Sequence, residues 1–568
     1  MWNFKLTRFK QLTAYLPSLF ISRRPVHFLA VIAALSFFFT FISNLAFWRH
    51  VKAVIERSGF DLPLLFIISV PFALFFLMSA VMLLLCSWKW LLKPVTIVLL
   101  LTCAAATYAS LSYGIIFDGN MLTNFIETSA GEAASYISGS SVIAFILLGL
   151  VPSALLLRLK VYYPGFVRTQ LWRLGALTGC LALAALCIFP FYQQYSFLGR
   201  DNKNMNKEIL PVSYVYSAGR YALSFFDEER PYVSLGEGAY AQKSERPRLL
   251  FLILGETARA ANFSALGYPR PTNQYSEREH VISYSDVRSC GTATAYSVPC
   301  MFSNLKRENY SPKLVENREG VLDVIKKAGY NVLWLDNDDG CKAVCDRVKS
   351  VQISPANSTY CDGTFCYDGV FIDYAKRLTE KLKQDTVIAF HFIGSHGPRY
   401  YERYPEEYRV FTPDCRRPDV EKCSREEVIN AYDNSILYTD HVIYELIEVL
   451  ESRMDKVDPM LLYISDHGES LGENGLYLHA APYAVAPDEQ TTIPLQLWLP
   501  DKTAKALQLN KQCLRDKALA GGYSHDNFFH SLLGLLQISA PEYEPGLDIF
   551  NVCEAQSEIP AAPLAERR

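Results

Sequence analysis

Five long apolar runs fill most of the first third of the chain, at roughly 26–48, 62–86, 93–116, 141–158 and 171–193. A helix needs about 17–25 apolar residues to cross the hydrocarbon core of a bilayer, where no water satisfies backbone polar groups. Each run meets that length. They predict an N-terminal transmembrane domain of five helices over 1–193. Arg23 and Arg24 precede the first run, as in a signal peptide. That run is too long for a signal core, and no clean small-residue cleavage site comes after it, so it reads as a retained helix.

Basic residues orient the predicted spans, because cytoplasmic loops are enriched in Lys and Arg. Lys5, Arg8, Lys10, Arg23 and Arg24 precede the first run. Lys89 and Lys93 lie near the junction of the second and third, and Arg158, Lys160, Arg168 and Arg173 near that of the fourth and fifth. The loop from Asp118 to Ser140 has neither Lys nor Arg, whereas Arg49, Lys52 and Arg57 run against the trend. The balance predicts a cytoplasmic N-terminus, and five crossings then place residues 246–568 outside the cytoplasm.

The 14 cysteines point the same way. Cys86, Cys103, Cys180 and Cys187 sit in apolar runs, where cysteine acts as a small buried hydrophobe. The other ten lie beyond residue 246 in closely spaced pairs, the mark of disulfides and an oxidising compartment. Pairing between sequence neighbours is expected: Cys290–Cys300, Cys341–Cys345, Cys361–Cys366, Cys415–Cys423 and Cys513–Cys553. Cys341 and Cys345 alone would suit two zinc thiolates, but the other pairs do not repeat that spacing. The net charge of −3 gives no nucleic-acid signature.

Residues 194–245 mix charge with Tyr214, Tyr216, Tyr221, Phe225 and Phe226, and read as a bridge of interfacial helices and linker. Residues 246–568 form a separate, polar domain. Its short apolar runs at 249–254, 331–335, 387–392 and 460–464 resemble buried parallel strands, and 321–328 and 425–452 read as helices. Ser424 and Glu427 have capping-box spacing. This alternation predicts an α/β domain with a mainly parallel sheet, whose active site collects beyond the carboxyl ends of the strands.

Metal-competent side chains fall at those ends. Glu256, His396, and the pair Asp466 and His467 each come just after a predicted strand. Carboxylate with imidazole suits zinc. The small, hydroxyl-rich segment from Ser289 to Cys300 can supply a nucleophile, since a metal lowers the pKa of a coordinated hydroxyl. A helix starting near Thr294 would also present its N-terminus to a phosphate. Residue chemistry alone leaves Thr292, Thr294 and Ser297 open.

Five segments together resemble the phosphoethanolamine transferases of Gram-negative bacteria, members of the alkaline-phosphatase/sulfatase superfamily, and in particular the lipid A group that includes the mobile colistin-resistance enzymes. They are Gly255-Glu-Thr-Ala-Arg-Ala260, Asn262-Phe-Ser-Ala-Leu-Gly-Tyr-Pro-Arg270, Cys290-Gly-Thr-Ala-Thr-Ala-Tyr-Ser-Val-Pro-Cys-Met-Phe302, Ser395-His-Gly-Pro398 and Ser465-Asp-His-Gly-Glu-Ser-Leu-Gly-Glu-Asn474. The resemblance extends over nearly the whole chain. It implies an alkaline-phosphatase-like C-terminal domain, with Thr294 as nucleophile. It also implies a zinc ion held by Glu256, Thr294, Asp466 and His467, with a second zinc admitted. His396 and His479 match residues that bind the transferred phosphate or that second metal, and Lys342 matches a head-group residue. Asn124, Thr128 and Glu132 match head-group contacts, and would share one face if that stretch were helical.

The implied reaction transfers phosphoethanolamine from phosphatidylethanolamine to a lipid A phosphate through a phosphothreonine. The enzyme would be a monomer in the inner membrane with a periplasmic catalytic domain, touching membrane lipids and conferring polymyxin resistance. The alternatives are a core-sugar or periplasmic-glucan acceptor, or a membrane-bound phosphodiesterase that passes the group to water. The Cys/Ser-x-Pro-x-Arg segment of sulfatases is absent around Thr294.

Overall fold

The computed structural model describes residues 24–57, 63–128, 130–195, 205–224, 226, 231–354, 359–361 and 365–554. Lys5, Arg8, Lys10, Arg23 and Phe225 lie outside the described residues. The chain packs as two units, Met1–Leu122 with Tyr136–Phe226, and Thr123–Ser135 with Asp227–Arg568.

In the first unit, four helices are long and apolar enough to cross a bilayer: Leu64–Cys86, Leu92–Tyr113, Gly139–Arg158 and Phe166–Tyr195. The expected span at 26–48 is instead two helices, Phe28–Ile42 and Leu45–Glu56, bent by 54°, so among the described residues the count is four, or up to five if the bent pair crosses. Asn44 explains why the break is tolerated. Its Nδ2 donates to Phe39 O at 2.7 Å and Leu210 O at 2.6 Å, while its Oδ1 accepts from Leu210 N at 2.9 Å. A side-chain amide thus takes up backbone groups that an apolar surround would leave unpaired.

Only 6% of the apolar stretch of Phe166–Tyr195 is buried within the protein. Leu171, Leu186 and Phe189 point outward, and a surface this apolar is stable against lipid rather than water. Basic residues close helix ends: Arg173 Nε and Nη2 donate to Leu83 O and Leu84 O at 3.1 and 3.2 Å, and Lys93 Nζ donates to Leu157 O at 2.8 Å. The 194–245 stretch is divided. Helix Val212–Ser224 belongs to the first unit, where Tyr214 hydrogen-bonds Thr102 at 2.8 Å, and Tyr240–Ala241 pairs with Ile538–Ser539 in the second.

The second unit is built on an eight-stranded sheet. Its strands are β1 Arg248–Gly255, β2 Ile282–Arg288, β3 Asn331–Asp336, β4 Lys349–Gln352, β5 Thr386–His391, β6 Asp458–Ser465, β7 Thr492–Trp498 and β8 Tyr523–Ser524. Their order across the sheet is β8-β2-β7-β6-β1-β5-β3-β4. β7 is antiparallel to both neighbours and every other pairing is parallel. β1, β5 and β6 are buried at every position, which is why the interior of each reads as an apolar run with polar residues only at its ends. β2, β4, β7 and β8 do not stand out as apolar runs in the sequence. β2 alternates polar and apolar residues, and Pro494 interrupts β7 where the register shifts between Ile493 and Leu495.

Helix α1, Thr294–Phe302, opens at the hydroxyl-rich segment, and α2, Arg425–Glu451, lies further along the chain. Ser424 and Glu427 form the capping box at the start of α2. The ten outer cysteines are joined as 290–300, 341–345, 361–366, 415–423 and 513–553.

Candidate active site

The carboxyl ends of β1 and β6 lie side by side, with Gly255 paired to Ser465. The residues just beyond them, Glu256, Asp466 and His467, are therefore brought together, all fully buried. Helix α1 brings Thr294 against them. Thr294 Oγ1 donates toward Glu256 Oε1 and Oε2 at 3.0 and 3.1 Å, and lies 3.3 Å from His467 Nε2.

The other two hydroxyls are engaged elsewhere. Thr292 Oγ1 donates to Ala481 O at 2.6 Å, and Ser297 Oγ donates to Asp466 O at 2.5 Å. His525 anchors the same segment: its Nδ1 accepts from Cys290 N at 2.9 Å while Nε2 donates to Ser465 O at 3.0 Å. Burial holds this imidazole neutral, with its pKa lowered to about 4.

The cluster is made of acceptors. His467 Nδ1 lies 2.9 Å from Gly468 O, which can only accept, so Nδ1 carries the proton and Nε2 presents its lone pair. Nε2 faces Asp466 Oδ2 at 3.3 Å and Glu256 Oε1 at 3.5 Å. Asp466 Oδ2 is buried without a hydrogen-bond partner. Burial, and then the charge of Asp466, raises the Glu256 carboxyl well above its ordinary pKa. Two carboxylates, an imidazole lone pair and a hydroxyl oxygen turned on one point fit a divalent cation, and this donor set suits zinc. A second group that can hold a metal ion shares Glu256 with Asp338 and His391.

Outside the cluster lies a solvent-open cavity lined by Asn124, Glu127, Thr128, Glu132, Thr294, Asp338, Asp339, Lys342, His396 and His479. Asn124, Thr128 and Glu132 reach it without one continuous helix. The segment breaks between Gly119–Glu127 and Ala130–Ser135, and Thr128 Oγ1 and N both turn back to Asn124 O. Glu132 Oε1 lies 3.4 Å from His396 Nε2. Burial alone would raise the Glu132 pKa, but its hydrogen bond to His396 and that ring's charge bring it down to about 2. His479 Nδ1 is held by Glu469 Oε2 at 2.8 Å, and Glu469 Oε1 accepts from Tyr400 OH at 2.6 Å. Lys342 has φ 49° and donates to Asp339 O at 3.0 Å. Gly394 leads to His396 at φ 51°, and a Cβ there would meet Glu256 O at 2.6 Å.

Comparison with known proteins places this arrangement. The family model for phosphoethanolamine transferase EptA/EptB matches residues 74–224, and the sulfatase model matches 248–538. Phosphoethanolamine transferase EptA of Escherichia coli K12 is 37% identical over 548 residues, spanning 95% of this chain and 99% of that one. Phosphatidylethanolamine transferase Mcr-1 of Escherichia coli is 33% identical, spanning 91% and 96%. The integral membrane lipooligosaccharide phosphoethanolamine transferase A of Neisseria meningitidis superposes with a TM-score of 0.90 at 35% identity, over 94% of this chain and all of that one.

The chain belongs to the phosphoethanolamine transferase family. This transferase is a multi-pass protein of the inner membrane, with its sulfatase-like domain in the periplasm. Several residues around its cavity and cluster were not singled out in the sequence. Glu469 stands inside the Ser465–Asn474 motif without a role assigned from it. His391 is the one ionisable side chain in an otherwise apolar β5, a signal that could have been read. Its Nδ1 pairs with Asp336 Oδ2 at 3.0 Å. Burial would lower its pKa, but the Asp336 charge carries it up to about 9. Asp338 and His525 carry no local signal.

Proposed function

We propose that this transferase moves phosphoethanolamine from phosphatidylethanolamine to a phosphate of lipid A, with Thr294 as the nucleophile. The observation that carries the reading is Thr294 Oγ1, 3.0 Å from Glu256 and 3.3 Å from His467, at the floor of a cavity walled by both acidic and basic side chains. Residues 1–193 anchor the chain, 194–245 form the bridge, and 246–568 together with 123–135 carry the chemistry.

Glu256, Asp466, His467 and Thr294 would hold one firmly bound zinc; a second zinc, if bound, would draw on His396 and His479 in place of their contacts with the phosphoryl group. Bound zinc lowers the pKa of a coordinated hydroxyl and offsets charge on a phosphoryl oxygen. Thr294 Oγ1 gives up its proton and forms a bond to phosphorus, and the bond to the glycerol oxygen breaks. Diacylglycerol leaves with one proton. Lys342, His396 and His479 offset charge on the phosphoryl oxygens, and Glu132 with Asn124 and Thr128 receives the ethanolamine end. A lipid A phosphate oxygen then attacks the same phosphorus, the bond to Thr294 Oγ1 breaks, and Thr294 Oγ1 takes up the proton that the acceptor phosphate gives up. Two displacements give ping-pong kinetics. The added ammonium lowers the negative charge of the outer surface and with it the attraction for polymyxin and colistin. The name of the Neisseria relative, a lipooligosaccharide transferase, supports the acceptor class.

Mass spectrometry of lipid A tests the whole reading. Cells carrying the wild-type chain should show lipid A heavier by one phosphoethanolamine, and Thr294→Ala cells should not. Unmodified lipid A with free phosphoethanolamine released would make water the acceptor. An adduct on purified Thr294→Ala protein would end the nucleophile assignment.

A further inference from the structure

Helix Ala130–Ser135 carries Glu132 in its first turn. At six residues it is too short to hold its shape alone, and its last turn has no basic residue to meet the C-terminal carbonyls. Arg399 supplies that charge. Its Nε donates to Ser135 O at 3.1 Å and its Nη2 to Ala134 O at 3.3 Å, while Nη1 donates to Glu402 Oε1 at 3.0 Å. Only Gly397 and Pro398 separate Arg399 from His396. One tight segment therefore grips the short helix twice, by His396 on the Glu132 carboxylate and by Arg399 on the last carbonyls.

We propose that Arg399 is a positioning residue for donor recognition, holding the Ala130–Ser135 helix so that Glu132 meets the ethanolamine ammonium already oriented. This rests on the reading of Glu132 as a head-group contact. Three arms on three acceptors need the planar guanidinium fork, and an ammonium can replace only part of it. Arg399 does not line the cavity. Its loss should therefore weaken donor binding and spare the displacement at Thr294.

The test is steady-state transfer from a fluorescent phosphatidylethanolamine by the full-length protein in detergent. The variants are Arg399→Ala, Arg399→Lys, Glu132→Gln and the Arg399→Ala/Glu132→Gln double, each with its Tm. Arg399→Ala should raise the donor KM about fivefold or more with kcat within about twofold, and Arg399→Lys should fall between it and wild type. In the Glu132→Gln background, Arg399→Ala should add little to KM, since the group it positions is gone. A donor KM unchanged by Arg399→Ala but raised by Glu132→Gln would overturn the inference alone. Full additivity of the two would also overturn it. A KM unmoved by Glu132→Gln would remove the head-group reading itself. If Arg399→Ala does not fold, Arg399→Lys, which keeps the charge and loses the fork, carries the same comparison.

Discussion

Thr292, Thr294 and Ser297 lie within six positions of one another and differ little in chemistry, yet only Thr294 faces the acidic cluster. The difference is one of partners. Thr292 and Ser297 give their protons to backbone carbonyls, which can only accept, and so serve as struts. The same reasoning yields a prediction about metal loading. Burial and the Asp466 charge raise the Glu256 pKa, so without a cation the carboxyl retains a proton at higher pH than an exposed glutamate would. Coordination requires the carboxylate, so binding must displace that proton. Adding zinc to chelated protein near neutral pH should release protons, read with a pH indicator in weak buffer. Glu256→Gln should release fewer and hold zinc more weakly. Equal release by both proteins would remove Glu256 from the ligand set.

Helix α2 shows how an element is specified locally and used globally. Its N-terminus is closed by Ser424, whose Oγ accepts from Glu427 N at 3.2 Å while Glu427 Oε2 accepts from Ser424 N at 2.7 Å. Further along, Asp433 receives Asn262, Tyr268 and Arg270, and Tyr432 OH donates to Thr257 O at 2.6 Å. The helix thus buttresses the turn after β1 that carries Glu256. Removing the cap costs about 1 kcal/mol. Ser424→Ala should lower the urea midpoint of the periplasmic domain by a corresponding amount and leave transfer activity unchanged. A large loss of activity at unchanged stability would mean that the cap does more than close the helix.

At the scale of the molecule, residues 123–135 leave the membrane-spanning sequence and pack with the periplasmic unit, where they form one wall of its cavity. Metal-competent groups and the 123–135 wall of the cavity thus come from widely separated parts of the chain. The two functions should separate experimentally. Replacing Asn124, Thr128 and Glu132 together with Ala should leave zinc content unchanged by elemental analysis while raising the donor KM by about tenfold or more, each lost polar contact being worth about 0.5–1.5 kcal/mol. Loss of zinc from that triple variant would mean that the wall also builds the metal site.

The features legible in the sequence alone are those that depend on neighbours in the chain. Apolar length marked the spans, continuous apolar runs marked β1, β3, β5 and β6, and the Ser424–Glu427 spacing marked the start of α2. Strand ends already pointed to Glu256, His396, Asp466 and His467, because a parallel sheet gathers the residues just beyond its strands. The family motifs narrowed three hydroxyls to Thr294. The tertiary structure decided the rest, since hydrogen bonding and burial bring together residues hundreds of positions apart. It put a 54° bend where a single span was expected, with Asn44 satisfying buried backbone groups at the break. It paired β7 in reverse between β2 and β6 despite Pro494. It also seated His525 between the hydroxyl-rich 289–300 segment and β6, Asp338 and His391 beside Glu256, and Arg399 on the helix of Glu132. No local pattern encodes these contacts, because each depends on where the sheet carries a distant side chain.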